Sequence, residues 1–333
     1  MNNIQKDDKK VFRFVQIAKE SLKNGESYPY NIYRKTDEKI FDLLLRKSEV
    51  FNKSLQCFLL DEKLTQIYIM EQDKHLYQEY IQKHITEILN DVHIHLDTKC
   101  SLIKEIASET MNDLFESDLN SENLKKVDKV LDSSIQLILS DKNAMYSMLK
   151  VTSYDYYTYT HCVDVATYAI GFGSYLKLEK KELEILGKAA MLHDIGKKLI
   201  SYDIIGKKGK LTDEEFEAVK EHPLLSVEVL RQHGENDQKL IKLISQHHER
   251  CDGSGYPYGL MEVDIDNLAK VITICDVFNA LTTRRTYKER MTSFEAFKIM
   301  CSDMKGHFCK EHLKKFINFM GCNMKDFDEI GHV

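Results

Sequence analysis

Five histidines and two aspartates recur along the second half of the chain in a pattern that suits a pair of metal ions. They are His161, His193, Asp194, His222, His247, His248 and Asp276. Neutral imidazole nitrogens together with carboxylate oxygens suit Fe, Mn, Zn or Ni. Adjacent ligands occur twice, which indicates more than one ion. A metal pair is a common device for activating water against a phosphate ester.

The two doublets, His193-Asp194 and His247-His248, carry much of this pattern. Adjacent residues on a helix point about 100° apart, so the first doublet can offer an imidazole to one ion and a bridging carboxylate to both. The second doublet can serve two ions in the same way. Either dipeptide alone is weak evidence. The ordered set of seven residues across separate predicted helices indicates a binuclear site.

Two features near these residues could serve a phosphate-containing ligand. Lys197 lies three residues after Asp194 and shares its face if the helix continues, where it would meet a phosphate oxygen as a point charge. A solvated surface lysine is an equally good interpretation. In segment 252–257 the glycines permit a tight turn, and Tyr256 offers a hydroxyl or a stacking face. Alone, this segment would be an ordinary turn, and it is not a dinucleotide fingerprint.

The last ligand candidate, Asp276, lies within an apolar segment, 271–278, that predicts a helix. A carboxylate in that setting must be paired or metal-bound, because burying it alone would be costly. Arg284, Arg285 and Lys288 follow as a cationic end to the helix. They could complement its C-terminal dipole or hold a phosphate.

Composition and charge limit the classes of function. The 333 residues, 43% hydrophobic and 10% aromatic, predict two globular, helix-rich domains. A net charge of −6 argues against a nucleic-acid polymer as partner, because such proteins carry an overall basic field. Bound cations could still attract a small anion locally. The eight cysteines form no CxxC pair, which indicates free thiols in a reducing compartment.

We expect a cytoplasmic protein without a membrane span. Residues 1–10 are charged and lack the apolar core of a signal peptide. No apolar run approaches the length of about 18 residues that a transmembrane helix requires.

The chain is predicted to be mainly α, with a small N-terminal α/β module joined by a helix to a C-terminal helical bundle. Short β-like runs at 30–33, 40–45 and 66–69 predict strands of the module. The predicted segments are a charged, frayed or weakly helical 1–25, the α/β module 26–90, a helical linker region 91–150 and the helical domain 151–333.

Three helix starts stand out in the local sequence. Ser121 is predicted to be the N-cap of a helix whose apolar stripe runs from Leu124 to Ile138, and this helix is expected to join the two domains. Thr212 begins a capping box. Pro223 is expected in the first turn of a further helix.

At the motif residues the chain resembles the HD-GYP domain family, a subgroup of the HD phosphohydrolases. The matching stretches are 157–161, 191–197, 221–223, 247–257 and 276–282. The resemblance covers roughly residues 151–325 and implies an HD-type helical bundle. It also implies a phosphodiesterase that hydrolyses the bacterial messenger cyclic di-GMP to linear pGpG and, in some members, to GMP.

The resemblance further implies a role for each site residue. The seven His and Asp residues named above would hold two divalent ions, with Fe or Mn expected. Substrate contacts would come from Lys197, Tyr256, Arg285 and Lys288. Two-metal chemistry gives the mechanistic hypothesis. A hydroxide bridging the ions, held with help from Asp194, would attack phosphorus in line with the departing ribose 3′ oxygen. Lys197 offsets charge that accumulates in the transition state.

The chain departs from the family pattern at two positions. Some members bind a third metal through a glutamate four residues before the first histidine, but this position is Tyr157 here, so we expect two metals. A frequent aspartate three residues after the last ligand is Asn279 here. This change leaves the ligands intact and alters the hydrogen bonding around them, with consequences for activity.

Two other functions stay open at this point. Asn279 and the unassigned N-terminal module are compatible with a receptor or scaffold that binds cyclic di-GMP, or a partner protein, without turnover. An HD nucleotidase acting on mononucleotides or other cyclic dinucleotides is the second alternative, and the loop containing Tyr256 disfavours mononucleotides. The sequence is compatible with a homodimer or a signalling-protein partner.

Overall fold

The computed structural model describes residues 12–37, 40–60, 66–117, 119–141, 143–150, 158–207, 209–283 and 291–322. The chain divides into two compact units, residues 1–102 and 103–333. Among the described residues, all strands lie in the first unit, and the regular elements of the second unit are helices. This confirms the predicted fold class. The finer division into four segments stays a prediction.

The first unit contains a four-stranded antiparallel sheet. Its strands and α-helices, in chain order, are β1 Phe14–Ile17, β2 Ile32–Asp37, β3 Ile40–Leu45, α1 Lys53–Leu60, β4 Ile67–Met70, α2 Lys74–Asn90 and α3 Leu96–Glu116. The strand order is β1-β4-β2-β3. The predicted strands 40–45 and 66–69 are present as β3 and β4, whereas β2 begins at Ile32 and overlaps the predicted strand 30–33 only in part. Helix α3 starts in the first unit and ends in the second.

Strand β1 corrects the expectation that residues 1–25 are frayed or weakly helical. Residues 14–17 pair with β4, from Phe14 opposite Met70 to Ile17 opposite Ile67. The ring of Phe14 also stacks on Phe41, with 4.0 Å between centroids. Cross-strand contacts of this kind stabilise a strand whose local sequence is ambiguous, and they come from distant parts of the chain.

The second unit is built around two helices that are buried on all sides. In helix α6 (Thr158–Tyr175) every residue from Thr160 to Gly173 is buried, and helix α12 (Asn267–Thr282) is buried over most of its length. A helix that is apolar all round belongs in a core. The α-helices are α4 Ser121–Ser140, α5 Ala144–Lys150, α6 Thr158–Tyr175, α7 Lys180–Leu192, α8 Tyr202–Ile205, α9 Asp213–Lys220, α10 His222–Gln232, α11 Gln238–Gln246, α12 Asn267–Thr282, α13 Ser293–Cys301 and α14 Lys310–Phe319.

The predicted helix starts are confirmed with one correction. The capping box at Thr212 and the position of Pro223 in the first turn of α10 are as expected. Asn120, rather than Ser121, is the N-cap of α4, because its side chain accepts a hydrogen bond from the backbone three residues later. Both residue types are good N-caps, so local preference did not separate them. Within the described part of the chain, no helix combines the length and apolarity needed to cross a membrane.

Candidate metal centre

The structure brings all seven predicted ligands together from five helices. Five lie at or beside helix ends, His161 lies in the first turn of α6, and Asp276 lies inside α12. Their ligand atoms form two groups, each with its atoms within 4.8 Å of one another. One group is His161, His193 and Asp276, and the other is Asp194, His222, His247 and His248.

The carboxylate of Asp194 lies between the two groups. Its Oδ2 atom is 3.4 Å from His193 Nε2 and 4.0 Å from His161 Nε2. Its Oδ1 atom is 3.2 Å from His222 Nε2 and 4.0 Å from His247 Nε2. Each oxygen therefore faces a different group. This is the arrangement that a carboxylate shared by two ions requires.

Four of the histidines have their Nδ1 atoms held by oxygen acceptors. The Nδ1–H groups donate from His193 to the Ala190 carbonyl (2.7 Å), from His222 to Val219 (2.6 Å), from His247 to Ile244 (2.6 Å) and from His161 to Asn279 Oδ1 (2.7 Å). A carbonyl oxygen can only accept, so Nδ1 must carry the proton. In the neutral ring, Nε2 then keeps the lone pair that a metal ligand needs.

The ligand atoms meet in contacts that a cation would relieve. His222 Nε2 lies 3.1 Å from His247 Nε2, although both nitrogens are acceptors in the neutral tautomer. His161 Nε2 lies 2.9 Å from Asp276 Oδ1. Such acceptor pairs are unfavourable when buried unless a proton or a cation lies between them. The nitrogen and carboxylate donors fit divalent transition metals such as Fe, Mn or Zn.

Two further atoms support this fit. His193 Nε2 and Asp194 Oδ1 are buried and make no hydrogen bond to other parts of the chain that the structure describes. Buried polar atoms in native proteins nearly always have a partner, and an ion is one explanation for an exception.

Burial sets most of the imidazoles in the neutral form that binds metal. It lowers the pKa of His222 and, more strongly, that of His247. Burial, followed by the charge of His222, lowers the pKa of His248 to about 3. His193 differs, because burial lowers its pKa while Asp194 raises it overall.

The two aspartates of the site are held in the charged form. Burial acts to raise the pKa of Asp194, but the charges of Lys197 and His193 outweigh it and hold that pKa well below its usual range. The pKa of Asp276 is lowered in the same way, since a protonated His161, whose Nε2 lies 2.9 Å from Asp276 Oδ1, outweighs burial, and a bound cation would take the place of that proton. Both carboxylates are thus available to cations.

Lys197 reaches the site by a turn rather than by a continuing α-helix. Helix α7 ends at Leu192, and residues 195–199 form a 3₁₀ helix. The ammonium of Lys197 donates to Asp194 Oδ2 at 2.6 Å. The structure thus places this lysine beside the shared carboxylate, where a phosphate could be met.

Tyr256 lies over the second group of ligands. Its ring centroid is 4.8 Å from that of His248 and 6.4 Å from that of His222. The loop returns on itself, since the Tyr256 N–H donates to the His248 carbonyl at 3.2 Å. A Cβ at Gly255 would lie 2.3 Å from the Arg250 nitrogen, so only glycine allows this return. Burial raises the pKa of Tyr256, which keeps the phenol as a hydrogen-bond donor.

Glu249 holds this loop in place, a role that sequence reasoning did not assign. The side chain is buried. Its Oε1 accepts from the Tyr258 N–H at 2.7 Å, and its Oε2 accepts from the Leu260 N–H at 2.8 Å. Both oxygens thus fix the backbone that follows Tyr256. The adjacency of Glu249 to the His247-His248 doublet was the available signal.

Replacing Glu249 with glutamine is expected to raise the substrate KM about tenfold with little change in bound metal. The new amide N–H₂ would face a backbone N–H, and an unsatisfied buried donor costs about 1–3 kcal/mol. The KM for cyclic di-GMP, the substrate that the resemblance in the sequence implies, with metal counted on the same sample, checks this. Glu262→Gln in the exposed part of the loop is the control, and equal KM values in both variants would contradict the prediction.

Asn279 orients His161 and is therefore expected to tune metal affinity. Asn279→Leu removes the acceptor for His161 Nδ1–H, so we expect metal binding about tenfold weaker, at the lower end of such effects. Asn279→Asp should keep or strengthen binding, because a carboxylate increases the basicity of the ring. Metal titration of both variants tests this, and a Leu variant that binds as tightly as wild type would disprove it.

Three residues named in the sequence analysis, Arg285, Lys288 and Tyr157, lie outside the described residues, so their roles stay predictions.

Cys162 was not predicted as a ligand, yet its sulfur lies within 4.8 Å of ligand atoms of His193 and Asp194. Burial raises the thiol pKa well above its usual value, so Cys162 is neutral and a poor ligand in this state.

Comparison with known proteins places this centre in a family. The HD domain family model matches residues 116–310, more than half of the chain. The cyclic di-GMP phosphodiesterase PA4108 of Pseudomonas aeruginosa is 35% identical over 184 residues, which cover 55% of this chain and 44% of that protein. The 3'3'-cGAMP-specific phosphodiesterase 3 of Vibrio cholerae is 33% identical over 167 residues, covering 49% of this chain and 36% of that protein. The chain thus matches less than half the length of these curated relatives.

A solved structure shares the fold. The chain is similar to Bd1817, an HDG"Y"P protein from Bdellovibrio bacteriovorus, with a TM-score of 0.67 and 24% identity. The similarity covers 93% of this chain and 100% of the other. At this identity the likeness concerns the fold alone. Together with the family match and the ordered motifs, it confirms the resemblance seen in the sequence: the chain belongs to the HD domain family.

Proposed function

We propose that the protein is a metal-dependent phosphodiesterase that hydrolyses a cyclic dinucleotide, with cyclic di-GMP as the first candidate. The observation that carries this proposal is the carboxylate of Asp194, which turns one oxygen towards each of two histidine-rich groups. The names of the two sequence relatives support the substrate class, since one acts on cyclic di-GMP and the other on 3'3'-cGAMP.

The site would hold two divalent ions, with Fe or Mn expected from the donor atoms. The first ion would be held by the group containing His161, and the second by the group containing His222, with Asp194 common to both. Bound ions at such a site neutralise phosphate charge and make water a better nucleophile at neutral pH.

The chain's own residues would position the substrate and stabilise charge. Lys197, beside the shared carboxylate, would offset negative charge on the phosphate oxygens as the ribose 3′ oxygen departs. Tyr256 would donate its hydroxyl or stack against the ligand, and Glu249 would keep the loop in position. Arg285 and Lys288 are proposed as further phosphate contacts. The proposed product is linear pGpG, with GMP as a further product.

The proposals for location and partners rest on the sequence. We propose that the protein acts in the cytoplasm, because its cysteine usage indicates free thiols in a reducing compartment. A homodimer or a signalling protein that acts through the N-terminal module is compatible with the chain.

Turnover by anaerobically purified protein, with metal counted on the same sample, tests the proposal. Cyclic di-GMP and 3'3'-cGAMP are supplied separately, and a chelated aliquot serves as the control. About two metals per chain and a linear product, lost on chelation, would support a two-metal phosphodiesterase. Bound metal and bound dinucleotide without product would instead identify a receptor. Hydrolysis of 3'3'-cGAMP alone would keep the reaction and change the substrate.

A further inference from the structure

A buried ion pair connects helix α3 to the helix that carries His161. Lys104 Nζ lies 2.6 Å from Asp164 Oδ1, and each side chain is only 4% exposed. The ammonium also donates to the Met148 carbonyl at 3.3 Å. Removing one partner of such a pair leaves an uncompensated buried charge, so the pair constrains the elements that carry it.

Asp164 lies three residues after His161, one turn along α6 and on the same face. A packed helix moves as a rigid element, so the anchor at Asp164 also limits where the His161 ring can lie. Asn279 fixes the rotation of that ring from the other side. The position of His161 therefore depends on α3 as well as on α12.

The other end of α3 contacts the segment that follows Asp194. Lys198 Nζ donates to the carbonyls of Leu114 at 2.9 Å and Ser117 at 2.7 Å. Leu114 lies in the last turn of α3, where a helix leaves its own acceptors unused, and Ser117 directly follows the helix. Lys198 adjoins Lys197 in the 3₁₀ helix. One helix thus contacts both segments that bring His161 and Asp194 to within 4.0 Å.

Helix α3 lies before the part of the chain that matches the family. It ends at Glu116, where the HD domain match begins, and it starts at Leu96 in the first unit. Lys104 and Asp164 belong to none of the candidate metal-binding groups. Their contact is therefore an additional constraint on the centre.

We propose that Lys104 is a positioning residue for the metal centre, acting through Asp164 on His161. Contacts of Lys198 with the other end of α3 complete a brace that sets the separation of His161 from Asp194. Displacement of this part of α3 would then change metal binding. This inference rests on the proposed function in one respect, namely that metals bind at these residues.

The test measures Mn²⁺ affinity of the full chain by titration, independently of turnover. Lys104→Met keeps the length of the side chain and removes its charge. We expect Mn²⁺ binding to weaken about tenfold at one of two sites, since changes around a ligand typically have effects of this size. Lys104→Arg should retain most of the affinity. Lys188→Met is the matched control, because Lys188 also forms ion pairs, with Asp128 and Glu235, away from the ligands.

A second variant separates positioning from general stability. Lys104→Met combined with Asp164→Leu removes both buried charges, which commonly preserves folding. If Lys104 positions His161, this double variant should unfold at the wild-type temperature and still bind Mn²⁺ weakly. The reason is that an apolar contact between α3 and α6 does not fix the orientation of α6 as an ion pair does. Recovery of both properties in the double variant would overturn the proposal, as would wild-type affinity in a folded Lys104→Met variant. Wild-type protein that bound neither Mn²⁺ nor Fe²⁺ would instead overturn the proposed function itself, and the positioning role with it.

Discussion

Asp194→Ala is expected to remove bound metal and hydrolysis together. Its two oxygens face different ligand groups, at 3.4 Å from His193 Nε2 and 3.2 Å from His222 Nε2, so in the proposed two-ion centre its loss would affect both ions. Changes to residues that only support ligands commonly lower metal affinity about 10–100-fold. Loss of a shared ligand should exceed the upper end of that range. Metal analysis and turnover on the same sample measure both effects.

The control for this variant is Asp303→Ala, which removes an exposed aspartate outside the ligand groups. Far-ultraviolet circular dichroism should give the same helix content for both variants and wild type. Full metal content and full turnover in Asp194→Ala would show that the site has been assigned wrongly.

Lys197→Met is expected to lower turnover about 10²–10³-fold while metal stays bound. Its ammonium lies 2.6 Å from Asp194 Oδ2, where it would stabilise charge on a reacting phosphate, and loss of one such group has effects of this size. The same ammonium competes with a cation for the carboxylate. Metal affinity should therefore be unchanged or higher, the opposite of the result expected for Asp194→Ala.

Two controls define this result. Lys197→Arg keeps the charge and should retain more turnover than the methionine variant. Lys207→Met removes a nearby lysine whose ammonium pairs with Glu215, and it should behave as wild type. Parallel loss of metal and turnover in Lys197→Met would mean that this lysine supports the ligands rather than the reaction.

Residue types and their order were sufficient to predict the helical class of the second unit and to select seven candidate ligands that the structure brings together. The His193-Asp194 doublet and the apolar helix around Asp276 are local features, so they can be recognised without knowledge of the fold. The capping box at Thr212 and strands β2 to β4 were predicted for the same reason. Strand β1 was missed, because its stability comes from pairing with β4 and from contact with Phe41.

Local sequence patterns did not predict several roles at the site. Local sequence does not identify the partners of Glu249 or Asn279: Glu249 binds two loop N–H groups, and Asn279 accepts from His161. Lys104 is a lysine within a helical pattern, which normally predicts a solvated side chain, yet it is buried against Asp164. Each of these roles depends on a partner at a distant position in the chain.

Residue types and local periodicity indicated which side chains could bind metal, in what order they occur and on which kind of element each lies. Helix periodicity and ligand chemistry are properties of short segments, so they need no knowledge of packing. The three-dimensional arrangement was needed to see that the seven candidate ligands form two groups, that Asp194 lies between them and that α3 contacts both α6 and the segment after Asp194. These relations depend on how separate helices pack, and packing is set by the whole core rather than by any one segment.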